Sequence, residues 1–140
     1  MLFNTKDDLT AMAADSLIAT NILFSGFPKR RKAVYCAPLT NAMQNGYRQT
    51  CYAGCIEPMF EWQREEKIMA LYNAKSNFNS VAMILQSYMD EPLGFLKHSK
   101  PDDNFATIDD IRKTIEIINN VVASLDDAIF LRKNEPLISL

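Results

Sequence analysis

The chain has one histidine, His98, among 140 residues. A single imidazole cannot supply a paired-histidine zinc motif or the two Glu-x-x-His pairs of a di-iron helical bundle. Cysteine is also scarce. Three thiols are too few for a disulfide scaffold, and an odd number leaves at least one unpaired in a monomer, which suits a reducing compartment. There is no G-x-S-x-G elbow, no phosphate-binding G-x-x-x-x-G-K loop and no dinucleotide-binding G-x-G-x-x-G. Hydrolytic and nucleotide-driven catalysis therefore lack their usual residues, and an enzyme is the less favoured class.

Long apolar runs are missing as well. The best, residues 17–24, is interrupted by Thr20 and Asn21 and falls far short of the eighteen or so residues that cross a bilayer. Asp7, Asp8 and Asp15 stand where a secretory signal would be basic or apolar, so a cytoplasmic location without membrane insertion is expected. The formal charge of −2 and isoelectric point near 5.4 offer no general attraction to nucleic acid or anionic lipid. No repeat or low-complexity stretch divides the chain, so residues 1–140 are expected to form one helical domain.

What is present is a globular composition, 48% hydrophobic and 23% charged, too apolar for intrinsic disorder. Thr5 and Asp8 have the spacing of a capping box, and Leu9, Met12, Ala13, Leu17 and Ile18 follow as an apolar stripe. That helix should stop at Ser25-Gly26, because Pro28 drives Phe27 out of helical geometry. Between residues 27 and 58, Pro28, Pro38, Gly46 and Gly54 break the pattern. Residues 32–37 read as extended, and an irregular helix from Pro38 would align Leu39, Met43, Tyr47, Cys51 and Cys55.

Pro58 suits a first helical turn, after which Met59, Trp62, Met69 and Tyr72 share an apolar face. The Asn- and Ser-rich residues 73–79 predict a turn. Val81, Ile84, Leu85, Tyr88 and Met89 then predict a short helix ending before Pro92, the second arm of a central hairpin. A loop with Pro92, Gly94 and Pro101 leads to the clearest pattern. Thr107 and Asp110 repeat the capping-box spacing, and Ile108, Ile111, Ile115, Ile118, Val122, Leu125 and Ile129 recur at alternating steps of three and four. The predicted architecture is an all-α, compact bundle of about five helices, with the last helix at its centre and residues 27–58 folded over one side.

Four constellations bear on function. The stripe of the last helix has the form of a dimerising seam, with Ile115 and Val122 at its middle, although Val121 and Ala128 widen it toward a buried face. Lys29, Arg30, Arg31 and Lys32 concentrate positive charge and, with Tyr35 as a stacking ring, form a candidate contact for nucleic acid or for an acidic protein. Cys51 and Cys55 lie one helical turn apart and, with Cys36 and His98 as further donors, make a candidate metal or redox set, weighed against plain core packing. Glu57, Glu61 and Glu65 align at helical spacing but, beside Arg64 and Lys67, read as a solvated face.

Aromatic and Met residues such as Phe60, Trp62, Met69, Phe78 and Met83 suit a core or a ligand pocket equally. The apolar tail, residues 136–140, suits docking onto the bundle or a partner. By elimination, the expected function is a protein-binding or regulatory module that needs no cofactor, its partner a protein or a second copy in a homodimer. A nucleic-acid-associated regulator and a cysteine-based metal or redox site are the alternatives.

Overall fold

The computed structural model describes residues 5–90, 93 and 106–135. Among them are five helices, α1 (Thr5–Ser25), α2 (Lys29–Tyr35), α3 (Ala37–Cys55), α4 (Glu61–Asp90) and α5 (Ile108–Asn134). The loop around Pro92, Gly94, His98 and Pro101, the tail 136–140 and the Thr5 side chain lie outside the described residues. The four long helices form a bundle in which α1 packs on α3, α3 on α4, α4 on α5 and α5 on α1.

Neighbours run antiparallel. The Ala106 N–H donates to Gly26 O at 2.7 Å, setting the start of α5 beside the end of α1. The Tyr88 hydroxyl donates to Tyr35 O at 3.0 Å, setting the end of α4 beside the start of α3. Lys75 of α4 meets Asp126 of α5 at 2.6 Å. The expected all-α bundle is thus observed, but α5 is one corner of it rather than its axis, and α3 is a full corner rather than a cover.

α1 ends and α5 begins where expected, and α5 runs on past Ile129 to Asn134. In α5 the Asp110 N–H donates to Thr107 Oγ1 at 3.1 Å while the Thr107 N–H donates to Asp110 Oδ2 at 2.9 Å, so two orphan donors are satisfied reciprocally. The stripe of α1 is rotated from its expected position. Ser16 and Thr20 are fully buried, whereas Ile18 is exposed. The two hydroxyls donate to Ala13 O (2.7 Å) and Ser16 O (2.8 Å), which lets polar side chains enter the core without an unmet donor. Thr50 and Thr114 bond back to Gly46 O and Asp110 O in the same way.

Residues 32–37 are not extended. α2 and α3 are two helical segments separated by a kink at Cys36, and Pro38 accounts for the break. It has no N–H for a bond to Val34 O, and its ring would collide with that carbonyl in a continuous helix. Gly46 and Gly54 do not interrupt α3, which runs for 19 residues.

The central hairpin is replaced by a single helix. α4 extends through the expected turn at 73–79 for 30 residues in all. It begins at Glu61 rather than Pro58, with Gln63 Oε1 accepting the Met59 and Phe60 N–H groups at 2.8 and 3.0 Å. Its buried stripe is Ala70, Leu71, Ala74, Phe78, Val81, Ala82 and Leu85, joined by Lys67, whose Nζ donates to Ile56 O at 2.7 Å. The expected apolar face of Met59, Trp62, Met69 and Tyr72 points to solvent instead.

Candidate interaction surface

Helix α2 carries all four clustered cations. Lys29, Arg30 and Arg31 are exposed, Lys32 is half-buried, and no residue of α2 is buried. Tyr35 does not stand beside them as an open stacking ring. Its ring meets Tyr88 edge to face at 5.6 Å and 86°, so it serves the joint between α2 and the end of α4.

The cysteines are free and dispersed. Cys36 is buried at the kink, Cys51 is half-buried and Cys55 is exposed. Fifteen residues of helical rise put Cys36 about 22 Å from Cys51. The three therefore do not converge, and among the described residues no group of three or more His, Cys, Asp or Glu is placed to hold a metal.

Burial raises the Cys36 thiol to about 11, a shift that nearby Lys32 only partly offsets. Because the folded value lies above the ordinary 9.0, the buried neutral thiol contributes stability in full below pH 9, and that contribution is lost as pH rises toward 11. Urea midpoints should accordingly fall more steeply over pH 9–11 for the native chain than for Cys36→Ala. Parallel pH profiles would refute the assignment.

The seam residues of α5 turn inward. Ile115 is buried and Val122 is half-buried against the core, so in the folded bundle their stripe lies toward α4 and α1. Glu57, Glu61 and Glu65 are exposed. Of Phe60, Trp62, Met69, Phe78 and Met83, Phe78 fills the core and the other four are exposed. Between Leu9, Thr50, Lys67, Leu71 and Ala128 lies a cavity of about 20 Å³, room for about one water rather than a ligand.

The surface that the apolar pattern misplaced is the outward face of α4. Its exposed residues from 69 to 87 are Met69, Tyr72, Asn73, Ser76, Asn79, Ser80, Met83, Ile84, Gln86 and Ser87, none of them charged. Lys75 is the only charged residue between Lys67 and Asp90, and it is drawn sideways onto Asp126 of α5. The contrast with α5 is plain, where Asp109, Arg112, Lys113, Glu116, Asp126, Asp127 and Lys133 are all exposed.

Met69 and Met83 are 60% and 64% exposed, well beyond what a core-facing side chain shows. At the lower edge of the face, Trp62 is also exposed, and Lys133 donates to the Tyr72 hydroxyl at 2.7 Å. The signal was available in the sequence as an uncharged stretch interrupted once by Lys75. Among the described residues no helix is long and apolar enough to cross a membrane, so this face is not part of a bilayer-spanning helix. Compared with protein-family models, with curated proteins and with solved structures, the chain matches none.

Proposed function

We propose that the protein is a protein-binding or regulatory helical module that docks its partner on the outward face of α4. The observation that carries this reading is the absence of any exposed charge from Met69 to Ser87 on a face that presents Met69, Tyr72, Met83 and Ile84 to solvent. Depletion of charge with enrichment of Met and aromatic side chains is the compositional mark of an interface core. A solvated helix face normally carries charged and polar residues, as α5 does on either side of its uncharged residues 117–125. Met is suited to such a role, because its unbranched side chain repacks against different surfaces at little cost.

The cationic α2 supports nucleic-acid binding less well. Four positive charges on two helical turns are opposed by a net charge of −2, and the Tyr35 ring is engaged with Tyr88.

A photo-crosslinking amino acid in place of Met83, with the same group at exposed Asn120 of α5 as control, tests the docking face in cells that express the protein. Discrete adducts from position 83 and none from position 120 are expected. Equal adducts from both positions, or none from 83, would overturn the reading.

A further inference from the structure

We infer that the occupant of the α4 face is a second copy of the same face, laid antiparallel across a two-fold axis at Ser76. This rests on the α4 face being the docking surface. About Ser76, four of the eight nearest residue pairs of α4 are identical, two of them exposed on this face, while exposed Tyr72 falls opposite Ser80. Asn73 matches Asn79, Ala70 matches Ala82, Met69 matches Met83 and Ile68 matches Ile84. Ser76 also faces straight out of the bundle, since it lies about 160° around the helix from both Ala74 and Phe78, which are fully buried.

Two-fold contacts are isologous, each residue meeting in the partner what that partner residue meets in it. Here the rotation sets Met69 against Met83 of the copy and Asn73 against Asn79, with small Ser76 at the crossing where the backbones come closest. Bulky side chains lie one and two turns away from that point, where the helices can accommodate them.

Charge selects the direction. In a parallel pair the carboxylates of Glu61, Glu65 and Glu66, all exposed, would face their own copies. Antiparallel pairing places Glu65 and Glu66 opposite Ser87 and Gln86 and leaves only the Glu61 end near Asp90, so the like-charge repulsion is confined to the two extremities. The strip from Trp62 to Asp90 is about 42 Å long and about 12 Å wide. It would bury on the order of 500 Å² per protomer, about 1,000 Å² in all, the lower bound for a specific interface. The dimer is therefore expected to be weak, dissociating in the micromolar range and tightening with salt.

Cysteine cross-linking reads the geometry directly. Helices 8–10 Å apart, each with Cα atoms about 2.3 Å from its axis, leave roughly 3.5–5.5 Å between Cα atoms facing across the axis, overlapping the span of a disulfide. In a chain with Cys51 and Cys55 changed to serine, Ser76→Cys should form a covalent dimer at least tenfold faster under mild oxidation than Asn73→Cys, whose copies would lie about 9 Å apart along the axis. Sedimentation equilibrium should show concentration-dependent dimers that Met69→Glu and Met83→Glu abolish. Both side chains are largely exposed, so these substitutions leave the fold intact, as thermal unfolding would verify.

Equal linking at positions 73 and 76 would mean parallel pairing, overturning the inference while leaving the docking face in place. A chain that stays monomeric at hundreds of micromolar, with Ser76→Cys linking no faster than Asn73→Cys, overturns it too, and adducts of a different protein at position 83 would then keep the face. Dimers that both Met→Glu variants leave unchanged would place self-association elsewhere and overturn the inference, the docking face then standing or falling on the cross-linking at position 83.

Discussion

Truncating Phe78 to alanine is expected to cost about 3–5 kcal/mol, a large share of the 5–15 kcal/mol that holds a typical domain together. The ring is fully buried in the seam between α3 and α4, where its distal edge lies against Gly46. A Cβ on residue 46 would stand 2.9 Å from Phe78 Cζ and 3.0 Å from both Cε atoms. Gly46→Ala should therefore destabilise by about 1–3 kcal/mol through overpacking, even though alanine is intrinsically the better helix former by about 1 kcal/mol. The two substitutions share one space. In the Gly46→Ala background, Phe78→Ala should cost at least about 1 kcal/mol less than alone, because the new methyl occupies part of the vacated volume. Urea unfolding of the four chains measures the cycle. Additive effects, or a Gly46→Ala chain more stable than the native one, would show that the two helices do not meet through this contact.

That contact also explains why only part of the bundle was legible in the sequence. α5 was readable because its aliphatic stripe and its Thr107–Asp110 cap agree, local preference and burial pointing the same way. The end of α1 was readable because Gly26-Phe27-Pro28 permits little else. α4 was not readable, for two physical reasons. Its middle, Asn73 to Asn79, consists largely of weak helix formers, and the helix persists there because Ala74 and Phe78 bury on one side, tertiary packing overriding local propensity.

Several of its large side chains, Trp62, Met69, Tyr72 and Met83, moreover, face outward, while Ala70, Ala74 and Ala82 share the core face with Leu71, Phe78, Val81 and Leu85. A reading that assigns bulk to the interior places Trp62 and Met69 on the wrong side. Gly46 misled in the same direction, since it marks close approach rather than a break. At the candidate site, the one-turn spacing of Cys51 and Cys55 was visible, but the helix that runs unbroken through Gly46 and sets the third thiol about 22 Å away was not. The neutrality of α4 was visible as well, and acquired meaning only once the exposed side of the helix was known.

Ser76→Pro separates the two readings of α4 most sharply. In the turn that the Asn- and Ser-rich sequence suggests, proline at residue 76 would be tolerated, within about 0.5 kcal/mol of the native chain. In the continuous helix it removes the N–H that reaches Tyr72 O and forces its ring against that carbonyl, at a cost of about 3 kcal/mol or more. The kink would fall at the middle of the neutral face, so Met69 and Met83 would no longer lie along one straight edge and self-association should be lost together with stability. Ser76→Ala supplies the comparison. It removes only an exposed hydroxyl and should stabilise the monomer by a few tenths of a kcal/mol through helix propensity, and any loss of dimer in that variant belongs to the side chain at the two-fold axis. A proline variant as stable as the native chain would restore the helical hairpin, and with it would go the straight, symmetric α4 face on which pairing between copies depends.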